Sequence, residues 1–153
     1  MGKTAFAIPE QELRKQAAED GVTRLVIGVA IAKDGRLLIV RRIPDGFMGG
    51  NYELPGGGVD KQETILEGIK RETLEETGLE VIDVLSMHGG FDYQINQKKI
   101  RQFNFLVKTK GHDVTLEPLE HDAFSWITEE ELDDYPISPS MKNSLRKIFE
   151  EIG

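Results

Sequence analysis

The chain has 153 residues, 39% of them hydrophobic and 30% charged, which suffices for one domain with a substantial core. Its 19 Lys and Arg against 27 Asp and Glu give a net charge of −8, which argues against nonspecific binding to long nucleic acids or anionic membranes but not against a metal-bridged nucleotide. Without a single Cys, the chain can use neither disulfides, thiolate metal sites nor cysteine catalysis.

Residues 1–20 are expected to be an N-terminal extension or a short helix, since Leu13, Ala17 and Ala18 give Pro9 to Asp20 a weak helical pattern. Acidic residues and no long apolar run predict no secretory signal there, and no segment is long enough to span a bilayer, so a cytoplasmic protein without membrane partners is expected. Val22 to Ala32 is rich in β-branched and small apolar residues, and Asp34-Gly35 signals a hairpin before Leu37 to Ile43. Pro44 to Asn51 reads as a loop. Leu54 to Gly58 reads as a glycine-rich turn leading into a helix. Val81 to Met87 is a predicted strand that Gly89-Gly90 breaks; Phe91 to Ile95 and Ile100 to Lys108 are a further pair around an Asn96-Gln97 tip. Ala123 to Ile127 is another predicted strand. Ser138-Pro139 then supplies an N-cap and a first-position proline for a last helix, with Met141, Leu145, Ile148, Phe149 and Ile152 on its apolar face. With no internal repeat, these elements predict an α/β fold in which a sheet lies between helices.

The helix after the glycines carries the chemistry. At about 3.6 residues per turn, Ile65, Ile69, Glu72 and Glu76 fall on one side, so a stripe that starts apolar ends anionic. Glu75 adds a third carboxylate at that end, where like charges repel unless a cation joins them. Hard divalent ions such as magnesium or manganese suit carboxylate oxygens, while a solvated acidic face is the plainer alternative. Gly56, Gly57 and Gly58 lack Cβ atoms and let backbone come close to an ion or phosphate, although such a run is more often only a tight turn.

Gly57, five residues, Glu63, seven residues and then Arg71-Glu72-Thr73-Leu74-Glu75-Glu76-Thr77-Gly78-Leu79 resemble the Nudix box at every fixed position. Thr73 stands where an apolar residue is usual, and its β-branched side chain can still pack. The resemblance extends to Ile39-Val40-Arg41-Arg42, to Tyr52-Glu53-Leu54-Pro55-Gly56-Gly57 and to Trp126. It implies a Nudix-type α/β/α sandwich with a mixed β-sheet over residues 21–153. It also implies a hydrolase that uses Mg2+ or Mn2+ to cleave a diphosphate linkage in a nucleoside diphosphate-X substrate.

By position, the resemblance makes Glu72, Glu75 and Glu76 metal ligands, with the Gly56 carbonyl as a further one and Gly57 beside the substrate. Glu63 and Arg71 resemble a family pair that is often structural, with direct catalysis by Arg71 as the alternative. The general base comes from the box helix, Glu75, or from a downstream loop, where Glu120 is the candidate and Glu117 the second. His121 reads as a solvent-exposed loop residue. Arg41 is the expected phosphate contact and Arg42, alternating to the other face, a solvated one. Phe47, Tyr52 and Trp126 either frame a base or belong to the core. The sequence lacks the downstream proline of many ADP-ribose hydrolases, the zinc-ribbon cysteines of NADH-cleaving relatives and any coenzyme A signature. What remains resembles the compact MutT-like group, so the expected reaction is a nucleoside triphosphate, oxidised ones included, giving monophosphate and pyrophosphate. ADP-ribose, nucleotide sugars and dinucleoside polyphosphates stay open, as does a noncatalytic nucleotide-sensing module. Monomers and homodimers both occur in the family, so a homodimer stays open too.

Overall fold

The computed structural model describes residues 6–46 and 48–153. Helix α1 (Glu10–Glu19) leads into strand β1 (Arg24–Lys33), which turns through Asp34 and Gly35, both at positive φ, into β2 (Arg36–Arg42). Two short strands follow, β3 (Tyr52–Glu53) and β4 (Gly56–Gly58), and then helix α2 (Ile65–Thr77). The long strands β5 (Glu80–Ile95) and β6 (Lys98–Lys110) form a hairpin, β7 (His121–Ile127) returns to β2, and a 3-10 helix (Glu129–Asp134) precedes α3 (Pro139–Ile152).

The sheet is mixed. Its strands run β3-β2-β1-β6-β5, with β1 and β6 parallel from Arg24↔Ile100 to Ile31↔Val107 and the other pairs antiparallel. Strand β7 adds to β2, and β4 adds to β1. One face is covered by α1 and α2, whose Leu13, Ala17, Ile65 and Ile69 pack with Ile27, Val29, Phe103 and Phe105. The other is covered by α3, whose Met141, Leu145, Ile148 and Phe149 pack with Ala30, Leu37, Ile39 and Leu106. A strand covered on both faces must be apolar throughout, which is why β1 reads as a nearly unbroken hydrophobic run. This is the α/β/α sandwich.

Two expectations about local structure change. Gly56 to Gly58 form a strand rather than a turn, pairing with Gly28, Ile27 and Val26 of β1. The missing Cβ atoms let this strand lie where Gly56 backs directly onto the Ile27 carbonyl and Gly57 onto the Glu72 carboxylate. Likewise Gly89-Gly90 does not end a strand: β5 continues across it with a register shift between His88 and Phe91, and Gly90 passes against the Gln102 carbonyl.

Helix α2 is fixed at both ends. Thr64 accepts a hydrogen bond from the Glu67 amide at 3.0 Å, and the Glu67 carboxylate accepts one from the Thr64 amide at 2.8 Å, a reciprocal capping box. Gly78, at φ 73°, closes the C-terminus in the left-handed conformation. Thr73 is wholly buried, its hydroxyl donating to the Ile69 carbonyl at 2.6 Å. Among the described residues no helix is long and apolar enough to cross a membrane.

Candidate active site

Helix α2 delivers its anionic stripe to the edge of the glycine strand. Ile65, Ile69, Glu72 and Glu76 are all buried, so the one-sided spacing holds to the end of the helix. Glu72 and Glu76 line a cleft of about 580 Å³ together with Gly56, Gly57, Glu53 and Glu120. The Gly56 amide donates to Glu76 Oε1 at 2.9 Å, and a Cβ on Gly57 would lie 2.5 Å from Glu72 Oε2. Four carboxylates therefore border one concave surface whose floor is bare backbone.

Burial shapes their protonation. Desolvation pushes the Glu76 carboxyl up to about 8, and the charges of Glu72, Glu53 and Glu120 add to the rise against the Gly56 hydrogen bond. Desolvation also raises Glu72, opposed by the adjacent Arg71 guanidinium. A carboxyl that resists ionisation because it is buried, and because its neighbours are anionic, becomes a good ligand once a cation enters.

His121 adds to this environment. It is buried in β7, not exposed in a loop as expected, because β7 begins two residues earlier than its apolar pattern predicts. Its Nε2 lies 3.0 Å from Glu53 Oε2, while the buried Nδ1 has no hydrogen-bond partner and lies 3.9 Å from Glu76 Oε1.

The carboxylate oxygens and the half-buried Gly56–Gly58 backbone suit a hard divalent ion, and the buried His121 Nδ1 without a hydrogen-bond partner adds a polar atom beside Glu76. The described residues do not, however, hold three acidic or imidazole groups already gathered for an ion. Glu72 is drawn to Arg71 Nη1 at 2.7 Å and Glu76 to the Gly56 amide.

Arg71 organises the base of the site. Its Nε and Nη2 donate to the two oxygens of Glu63 at 2.7 and 2.8 Å, Nη2 also donates to the Gly58 carbonyl at 3.0 Å, and Nη1 reaches Glu72. The bidentate contact holds Glu63 down to about 2. Glu63 in turn accepts from the Asp60 amide at 3.0 Å, so the pair ties the loop after β4 to α2.

The expected site residues do not all converge. Glu72, Glu76, Gly56, Gly57 and Glu120 border the cleft. Glu75 lies outside it, its carboxylate more than half exposed and 3.4 Å from Arg71 Nη1. Arg71 lies beneath the cleft rather than in its wall. Arg41 is turned away and gives both Nε and Nη2 to Asp122, at 2.7 and 2.8 Å, while Arg42 lines the cleft beside Glu53 at 3.1 Å. A register shift between β2 and β7 falls at this pair of arginines. Tyr52 borders the cleft, Trp126 packs on the α2-side core with its ring against His112, and Phe47 is outside the described residues.

Sequence reasoning missed Glu53, Arg42 and Gln102. Gln102 is buried in the cleft wall, its amide donating to Asn104 Oδ1 at 2.9 Å, next to Phe91, Tyr93 and Met141. Polar residues at alternate positions next to the buried run from Phe103 to Val107 of β6 were the available signal, Gln102 and Asn104 sharing one face.

Comparison with known proteins agrees with this architecture. The NUDIX domain family model matches residues 22–152. A MutT-like protein of Streptomyces ambofaciens is 37% identical over 109 residues, 71% of this chain and 66% of that protein, so the match spans just under two thirds of the relative. The CTP pyrophosphohydrolase of Escherichia coli K12 is 28% identical over 117 residues, covering 75% of this chain and 83% of the relative. The crystal structure of a MutT NUDIX hydrolase from Burkholderia pseudomallei superposes with a TM-score of 0.72 at 26% identity, covering 82% of this chain and 97% of that one.

Proposed function

The chain belongs to the NUDIX family of pyrophosphohydrolases, and from that premise we propose that it hydrolyses a nucleoside triphosphate, oxidised forms included, to the monophosphate and pyrophosphate. The observation that carries this reading is the burial of Glu72 and Glu76 against Gly56 and Gly57, which sets two desolvated carboxylates beside backbone that a polyphosphate can approach.

Nudix hydrolases generally use divalent metal ions, and Glu72, Glu76 and the Gly56 carbonyl are the groups that would hold one here, with Glu120 and Glu53 across the cleft. When bound, such an ion neutralises phosphate charge and makes water more acidic. Glu120 is exposed at the cleft rim, where it can take the proton of the attacking water; its backbone is held by the Ile43 amide at 3.1 Å. Arg71, through Glu63 and Glu72, positions the helix carboxylates and does not itself meet substrate. Arg42 is the phosphate contact in this arrangement. Phe91, Tyr93 and Met141 offer an apolar wall for a base, and the Gln102 amide can exchange hydrogen bonds with its edge.

Release of pyrophosphate from a panel of nucleoside triphosphates, with Mg2+ or Mn2+ and with Glu76→Gln as control, tests the proposal. Metal-dependent turnover lost in the control is the expected result. Binding without turnover would favour a nucleotide-sensing module, and orthophosphate release would overturn the assigned products.

A further inference from the structure

A second cavity, of about 810 Å³, opens beside the first residue of β1 and meets the carboxylate cleft at Arg24, Ile95 and Ile100, which line both. Its charge is opposite to that of the molecule. Arg14, Arg24, Lys61 and Lys98 face it; Arg14 is paired with Glu10, which leaves Arg24, Lys61 and Lys98 against one carboxylate, Asp60, in a chain whose net charge is −8. Lys61 and Lys98 form no ion pair with any described residue, and the Arg24 guanidinium lies against Gly58 at the end of the glycine strand.

One wall belongs to α1, which precedes the residues matched by the family model. That helix is bound to the catalytic one. The Ile65 amide at the start of α2 donates to Glu10 Oε1 at 2.8 Å, and Arg14 Nη2 donates to the Glu63 carbonyl at 2.7 Å. Leu13 and Ala17 are buried in the same core as Ile65 and Ile69. The N-terminal segment thus forms part of the unit that carries the site.

Cations gathered around a partly enclosed cavity repel one another until an anion joins them, and guanidinium with ammonium is the pairing that phosphate groups favour. A cavity of this size accommodates a nucleotide. Because it shares its boundary with the carboxylate cleft, one molecule can occupy both. We propose that the cavity between α1 and the β5–β6 hairpin is a second anion-binding subsite, holding a phosphate-bearing nucleotide portion of an extended substrate beyond the scissile diphosphate. This rests on the pyrophosphohydrolase reading above and extends its substrates from a nucleoside triphosphate to longer, doubly nucleotide-bearing ones.

The test is calorimetric binding, with Mg2+, of two methylene-bridged analogues with the same base, a nucleoside triphosphate and a dinucleoside tetraphosphate. The proteins compared are the unmodified chain, the double variant Lys61→Glu/Lys98→Glu and the charge-conserving Lys61→Arg/Lys98→Arg. The expected result is roughly tenfold tighter binding of the longer ligand, the sum of a few exposed charge contacts. That advantage is lost in the Glu variant, kept in the Arg variant and reduced by added salt, with the shorter ligand changed by less than about twofold. Equal affinity for the two ligands in the unmodified chain overturns the subsite and leaves the proposed function standing. An equal loss for both ligands in the Glu variant also overturns it, showing only general attraction. Free nucleoside monophosphate that binds with the same lysine dependence, while the longer ligand gains nothing, marks a separate effector site and overturns the substrate assignment. Failure of both analogues to bind overturns the subsite and the proposed function together.

Discussion

Arg71 grips both carboxylate oxygens of Glu63, at 2.7 and 2.8 Å, across the eight positions that separate them in sequence. Neither group is in the cleft wall, yet the pair fixes the loop after β4 against α2 and leaves Arg71 Nη1 free to reach Glu72. Glu63→Gln is expected to cost about 1 to 3 kcal/mol, the range for a charge-assisted contact, lowering Tm by a few degrees. Turnover should fall further than stability does, because Glu72 loses its anchor. Thermal denaturation alongside kcat measures both; a variant as stable and as active as the parent would remove the pair from the scheme.

The same pair sets an acid limit. Glu63 has a folded value of about 2 against 4.5 for the unperturbed group, so its contribution to stability is present above pH 4.5 and is lost as pH falls through about 2. Glu63→Gln should therefore flatten the acid limb of a Tm profile below about pH 4.5.

Glu76 acts with the opposite sign. Its folded value of about 8 lies above 4.5, so the folded state binds the extra proton between those values. Its contribution is complete below pH 4.5 and disappears as pH rises through about 8, so chelated protein should lose stability over that interval. Added Mg2+ should reverse the loss and release protons, as calorimetry in buffers of different ionisation enthalpy would show. Glu76→Gln should abolish both effects.

Two neighbouring glycines should fail differently. In Gly57→Ala the new methyl would first meet the Glu72 carboxylate, the end of a side chain that can shift, so the fold should hold while turnover falls by at least about tenfold. In Gly56→Ala it would meet the Ile27 backbone with φ at 156°, where nothing yields, and several kcal/mol of stability should be lost. Equal melting temperatures for the two variants would contradict this assignment.

Glu120→Gln should reduce kcat by about 10²-fold or more and leave Tm within a degree or so, since the side chain is exposed and only its backbone is tied into the sheet. A pH–rate profile distinguishes loss of a base from loss of a ligand: only the former removes the acid limb while metal affinity stays unchanged.

Arg42→Ala should raise KM for the triphosphate by about tenfold, whereas Arg41→Ala, which breaks only a partly exposed pair with Asp122, should change stability by no more than about 1 kcal/mol and KM little. The reverse pattern would restore Arg41 as the phosphate contact.

The sequence by itself determined what is local and periodic: the hairpin through Asp34-Gly35, the helix after the glycines with its stripe from Ile65 and Ile69 to Glu72 and Glu76, and the Ser138-capped α3. Side-chain spacing on a helix follows from its pitch, so those carboxylates could be placed without knowing their partners. Residue spacing within the box also identified the family. Tertiary structure alone decided which charged groups meet. Glu53 and His121 are 68 positions apart and join only because β3 and β7 both pair with β2. Alternation along β2 separates Arg41 from Arg42, but only the packing of Leu38 and Val40 with α2 decides that Arg42 is the one on the cleft side. Glycines that read as a turn became a strand because β1 offered them a partner. Desolvation, which raises Glu76, depends on everything packed around it, and no window of sequence contains that sum.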